Sequence, residues 1–258
     1  MMNSDIDEDI LEESIKTMKK LIAGTALLAI STLSYAESEV SYSANLGFMS
    51  DYMYRGIHQS SSSAMGGFDI EYGSFYLGTW FADLQEGGWE GSGDDSHRGF
   101  EYDVYAGFGF DLTDSISASL GYTIYRYTDK GANAFDDDYD EVNLGLGFAI
   151  SDDASIAIDY AVGENTATDQ SETDYDVLTV SVDYMGMYAL FGTWGVQEDD
   201  ASKGEVDADW MEFGYSRTVG DFDLSGAFVL SEKELATGSD SAEDGDFSRF
   251  IMSISTGF

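Results

Sequence analysis

The 258-residue chain contains no cysteine and no proline, and only 11 of its residues are lysine or arginine. Without cysteine there is no disulfide, no thiolate nucleophile and no acylated lipoprotein anchor. Against those 11 basic residues stand 50 aspartates and glutamates, for a formal net charge of −39. That balance excludes a nucleic-acid partner, because phosphate charge must be met by lysine or arginine. Long apolar runs are missing as well. After Ala36 every apolar run is broken by a polar residue within a few positions, so no membrane helix is expected. What remains is unusual for so acidic a chain: 43% of residues are hydrophobic and 14% aromatic. A sequence with that apolar content can fold, whereas charge without it would imply disorder.

The amino terminus supplies an address. Residues 18–36, MKKLIAGTALLAISTLSYA, begin with Lys19 and Lys20, continue through an apolar run from Leu21 to Leu33, and end with small Ser34 and Ala36. This is the pattern of a secretory signal peptide, and the run is too short for the roughly 20 residues of a membrane span. Cleavage is expected between Ala36 and Glu37. Residues 1–17 are acidic, the wrong charge for the start of a signal, so they read as a mis-assigned start or an acidic extension. Residues 37–258 form the mature chain.

Period-two alternation of apolar and polar residues recurs about twelve times in that mature part. Tyr42–Ala44–Leu46–Phe48, Phe100–Tyr102–Val104–Ala106–Phe108–Phe110 and Val142–Leu144–Leu146–Phe148–Ile150 are examples, and Phe250, Met252, Ile254, Thr256 and Phe258 close the chain, with Ile251 out of pattern. Such alternation marks strands whose two faces meet different solvents. Short turns at Gly73–Ser74, Asp114, Ser151–Ala154, Met185–Gly186 and Val219–Asp221 alternate with long polar loops such as Leu84–His97, Asp129–Asp138, Glu164–Asp174, Glu198–Asp207 and Glu232–Phe247. Strict short–long alternation predicts an all-β fold: a transmembrane antiparallel up-and-down β-barrel of about 12 strands, with short periplasmic turns and long acidic external loops. Outward-parity aromatics fall into two groups. Tyr42, Tyr72, Phe110, Tyr184, Tyr188, Phe222 and Phe258 lie near short turns or the terminus, and Tyr54, Phe100, Tyr102, Tyr160 and Trp194 lie near long loops. These read as the two interfacial girdles of an outer-membrane barrel of a Gram-negative bacterium.

Residues Ser43 to Leu84 resemble the amino-terminal block of the TorF family of porins. The resemblance rests on Ser50, Asp51, Tyr52, Tyr54, Arg55, Gly56, Ile57 and Gln59, followed by Phe75, Tyr76, Gly78 and Trp80. Glu101–Phe110 is similar to a later strand of that family and Arg249–Phe258 to its ending. The resemblance implies a porin, without fixing its substrate.

Several residues are candidates for function. Inward parity collects Asp69, Glu71, Glu101, Asp103, Glu141, Asp159, Asp183, Glu212 and Asp223, with Arg249 as their basic counterpart. Carboxylates repeated along a tube add to a field that favours cations, and they also simply keep a lumen wet. Asp51 and Arg55 are placed at the pore mouth, where Arg55 either orients solutes or pins the loop start through a local pair with Asp51. Inward Tyr105, Tyr125 and Tyr127 are bulky enough to narrow the tube. Phe258 resembles the signal by which outer-membrane proteins are recognised for assembly. The acidic loop clusters Asp94–Asp95, Asp136–Asp138, Glu198–Asp200 and Glu243–Asp246 lack the spacing of a calcium loop, so no metal site and no cofactor is expected.

The reading is a porin-like channel for passive diffusion of small hydrophilic solutes, cation-preferring. Its expected partners are outer-membrane lipids and lipopolysaccharide, the barrel assembly machinery, and small solutes or cations. One alternative is a closed structural or adhesive barrel plugged by its own side chains. Another is a lipid hydrolase, which needs a nucleophile beside a base. For that the chain offers only His58 and His97, both placed in external loops, with His58 preceding the run Gln59–Ser63.

Overall fold

In a computed structural model, the described residues are 40–85, 98–128, 138–165, 174–197, 205–236 and 245–258. They form twelve strands: β1 Val40–Tyr54, β2 Ile57–Tyr72, β3 Phe75–Gln85, β4 Arg98–Thr113, β5 Ile116–Tyr127, β6 Tyr139–Ser151, β7 Ala154–Asn165, β8 Asp174–Tyr184, β9 Met187–Gln197, β10 Glu205–Val219, β11 Phe222–Ser231 and β12 Phe247–Gly257. Each pairs antiparallel with its sequence neighbours, and β12 returns to β1, closing the barrel. Closure removes the unpaired strand edges that lipid could not solvate. At the seam Asn45 lies opposite Gly257, and Phe258 extends the ladder by exchanging backbone hydrogen bonds with Ala44, N–H to O at 2.9 and 3.3 Å. The beginning of β1 and the end of β12 thus meet at the rim that carries the short turns.

The outside of the tube is apolar. Leu46, Phe48, Phe68, Phe108, Leu120, Leu144, Val182, Phe213, Phe228 and Ile254 are all exposed. Exposed side chains of this kind in every strand form a belt that water would not tolerate and hydrocarbon would. Near the short-turn rim Tyr42, Tyr72, Phe110, Tyr184, Phe222 and Phe258 point outward, and near the other rim Phe100, Tyr102 and Tyr160 do so. Three residues assigned to the girdles lie inside instead. Tyr188 donates to Glu212, Trp194 is buried, and Tyr54 meets Tyr125 and Trp194 edge-on. In β9 the exposed apolar side chains are Met187 and Phe191, one step out of phase with the expected Tyr188–Leu190–Trp194 face. The strand is apolar on both faces, so its period does not reveal which side is inward.

The first external connection also departs from expectation. The strict alternation of short and long connections fails there, because β1 and β2 are joined by Arg55 and Gly56 alone. Both residues have positive φ, 49° and 82°, the backbone of a tight two-residue hairpin turn. His58 therefore belongs to β2, not to an external loop. His97, most of the acidic loop clusters, the signal segment and the Ala36–Glu37 junction lie outside the described residues.

Candidate functional site

The hairpin β1–β2 starts in the barrel wall and leaves it. Pairing of β1 with β12 runs from Asn45–Gly257 to Met49–Ser253, and pairing of β2 with β3 begins at Met65–Ala82. Beyond those points β1 and β2 pair only with each other, up to Tyr54–Ile57. Serine hydroxyls close the ladder on both sides of the departure. The Met252 N–H donates to Ser50 Oγ at 3.0 Å, and Ser63 Oγ donates to the Asp83 carbonyl at 2.7 Å. Each hydroxyl replaces a backbone partner that the departing strand removes, and a buried backbone group left unpaired would be costly.

The tip crosses the lumen. The Arg55 guanidinium meets the Glu141 carboxylate of β6 at two points, Nη1–Oε1 2.6 Å and Nη2–Oε2 3.1 Å. Trp194 of β9 donates Nε1–H to the Arg55 carbonyl at 2.8 Å, and Ser231 of β11 donates to the Gly56 carbonyl at 2.7 Å. The guanidinium lies 4.9 Å from the Tyr54 ring centre and 5.7 Å from that of Trp194. Two of these partners, on β6 and β9, sit far round the ring from β1 and β2, so the hairpin spans the tube rather than edging its mouth. Gly56 is the residue this position admits. A Cβ there would lie 2.6 Å from the Trp210 Cβ, and the φ of 82° already disfavours side chains.

Around the tip the lumen divides into an apolar side and an acidic side. Met53, Ile57, Val177, Leu190, Trp194, Trp210, Val229, Leu235 and Phe247 form one buried cluster, and Met49, Tyr52, Met65 and Ala82 a second. Ile251 packs against both and Phe247 belongs to the first, which accounts for the apolar residues on the inward face of the last strand. Beside these clusters lie Glu101, Asp103 and Glu141, all buried. Glu141 accepts from Tyr175 at 2.8 Å, Asn143 at 3.0 Å and Tyr125 at 3.1 Å, besides Arg55. A bidentate arginine–carboxylate pair completed by neutral donors is a strong, directional contact. Glu101 accepts from Tyr52 at 3.2 Å and from Tyr127 at 3.4 Å.

The remaining inward residues spread toward the short-turn end. Asp69 accepts from Tyr105 at 2.5 Å, and Asp223 accepts from Thr218 at 2.6 Å. Glu71 takes a 3.4 Å contact from Ser41. Asp159 is partly exposed, Asp183 is exposed, and Glu212 is buried under Tyr188. Arg249 lies opposite Val229 on the inward face of β12. Asp51 is not the partner of Arg55. It contacts His58 Nε2 at 3.4 Å and accepts from Ser61 at 3.2 Å. Ser61 Oγ also lies 3.4 Å from that same Nε2. A hydrolytic relay needs the carboxylate on one ring nitrogen and the nucleophile on the other, and this trio does not make it. Sequence reasoning missed the hairpin, Trp194, Trp210 and Tyr175. The out-of-pattern Ile251 and the two-faced β9 were its signals.

Among solved structures the barrel is similar to the KdgM porin, with a TM-score of 0.52 and 10% identity over 84% of this chain and 99% of that one. A structure of the KdgM porin in complex with disordered oligogalacturonate gives a TM-score of 0.51, again at 10% identity and with the same coverage. At that identity the likeness is one of fold. No curated protein matches the chain in sequence. The family model described as "Bacterial protein of unknown function (Gcw_chp)" matches residues 34–258, from before the first strand to the terminal phenylalanine, and the chain belongs to that family.

Proposed function

We propose that this protein is an outer-membrane channel for passive diffusion of small hydrophilic solutes, that it prefers cations, and that its first hairpin forms the constriction. The observation that carries the reading is the contrast between the two faces of one closed barrel. The outer face is apolar in every strand, while the inner face carries nine carboxylates, at Asp69, Glu71, Glu101, Asp103, Glu141, Asp159, Asp183, Glu212 and Asp223. Carboxylates repeated on an inner face suit the passage of cations, whose pores are lined by acidic side chains. The KdgM-like fold and the resemblance of Ser43–Leu84 to the TorF porins point the same way. The anionic oligogalacturonate of the KdgM complex is not carried over, because repeated carboxylates would repel it. Secretion after cleavage at Ala36 and outer-membrane residence, amid lipopolysaccharide and after delivery by the assembly machinery, are parts of the same proposal. Catalysis is not, given the arrangement of Asp51, His58 and Ser61.

A second reading has its own observation. The hairpin tip is packed as a protein core is packed, with Ile57 against Trp210 and Leu235 in a buried cluster, and such a tip could close the tube into a structural barrel. Planar bilayer recording separates the two. Discrete conductance steps, with a cation-signed reversal potential in a potassium chloride gradient, support the channel. A folded barrel that never conducts favours the closed one.

A further inference from the structure

Resting on the cation-preferring reading, we infer that Glu101 and Asp103 form a discrete binding site for one singly charged, weakly hydrated cation, a potassium ion or a primary ammonium group. The two residues stand two apart on the inward face of β4 and are 1% and 3% exposed. Two residues along a strand span about 6.6 Å, a separation a single cation can bridge. Both carboxylates are incompletely satisfied. Glu101 Oε2 and Asp103 Oδ1 are buried with no hydrogen-bond partner. The arginine at the hairpin tip, Arg55, is already engaged at two points by Glu141. Buried carboxylates with open lone pairs call for a positive charge, since desolvation without compensation is expensive.

The surroundings choose the kind of cation. Across the ladders, Asp103 lies between Trp80 of β3 and Tyr125 of β5, and Glu101 lies between Ala82 and Tyr127. Tyr52, from the hairpin, packs at a tilt against Trp80 with ring centres 5.3 Å apart and donates to Glu101. Four aromatic rings thus border the two carboxylates. Aromatic faces attract large, weakly hydrated cations and ammonium groups. A divalent metal is disfavoured, because calcium takes six to eight oxygen ligands and no group of three metal-ligating side chains occurs among the described residues.

The test uses the full folded barrel in detergent. Unfolding temperature is followed at constant ionic strength while N-methylglucamine chloride is replaced by potassium chloride or by methylammonium chloride. Calorimetric titration of the same two probes counts the bound cations. The expected result is one cation per barrel and a rise in unfolding temperature with at least one probe. A response to potassium alone indicates an ion site, and a stronger response to methylammonium indicates an amine solute. Glu101→Gln and Asp103→Asn should each weaken binding about a hundredfold or more, as loss of one partner of a buried ion pair does. Asp152→Asn, in a short turn, should leave it unchanged. Absence of any probe-specific shift in the wild type would overturn the site even if the barrel conducts with cation selectivity. Binding in a barrel that does not conduct would uphold the site and sink the channel reading.

Discussion

Arg55 and Glu141 face each other across the lumen as a bidentate ion pair, 2.6 and 3.1 Å, with the glutamate wholly buried and the arginine side chain 17% exposed. The pair ties the two-residue turn at the end of β1 to β6 near its long-connection end. Around it, Trp194 and Ser231 hold the turn's two carbonyls. Three strands, β6, β9 and β11, therefore converge on one dipeptide, which would set the position of the proposed constriction.

Removing one half of that pair should hurt more than removing both. Arg55→Met leaves Glu141 charged and buried, a situation that costs about 3–5 kcal/mol. Arg55→Met combined with Glu141→Gln keeps acceptors for Tyr125 and Tyr175 without the orphaned charge, and should recover part of the loss. Unfolding in urea with lipid, followed by heat-modifiable migration, gives the two stabilities. The single variant should also conduct more than the wild type, because the tip is less firmly held. Equal stability of single and double variants would show that an orphaned Glu141 charge is not the source of the loss.

Much of this architecture was legible in the sequence. The twelve-fold alternation, the short turns and the inward parity of Asp69, Glu101, Asp103 and Glu141 all follow from a period of two. The inward hairpin was not legible, for a physical reason. Tyr52, Met53 and Tyr54 are as suitable for a lipid interface as for a plug, and only the partners on β5, β9 and β11 distinguish the uses. Those partners created the ambiguity in β9, where Leu190 and Trp194 form a core facing inward while Phe191 faces lipid. Local pattern reports that two faces differ, not which one is the tube's interior.

Gly56 should not tolerate a side chain. Gly56→Ala puts a Cβ 2.6 Å from Trp210 at a φ of 82°, so both the contact and the backbone resist it. A loss of about 1–3 kcal/mol is expected from the backbone alone, with a shifted tryptophan emission as the tip moves away from Trp210. Gly226→Ala is the comparison, since its nearest neighbour would be Phe250 at an ordinary 3.6 Å. If both variants fold equally well, the tip is not seated as described.

Deleting Phe258 should impair assembly while leaving export intact. Its backbone supplies the last two hydrogen bonds of the β1–β12 seam, and its ring is 75% exposed at the rim. The deletion therefore weakens the closing ladder and removes the terminal aromatic together. The same outer-membrane fraction, examined by mass spectrometry, should show a chain beginning at Glu37. Normal amounts of heat-modifiable protein in the deletion strain would reject the first expectation, and an intact Met1 start the second.

Cation preference should depend on where carboxylates sit, not on how many the chain has. By sequence, most carboxylates of the long polar connections are expected to be screened by electrolyte, within about 8 Å at physiological salt. Asp69, Asp159 and Asp183 face a lumen walled by strands and lipid, where fewer counter-ions intervene and successive charges add. Converting these three to asparagine should move the reversal potential in a salt gradient toward zero. Raising salt should shrink the wild-type selectivity in the same direction. Neutralising Asp136, Asp137 and Asp138 together removes as much formal charge but should change the reversal potential less. A larger effect from the loop variant would place selectivity at the external entrance, and an anion-selective wild type would reject the acidic lumen as the selective element.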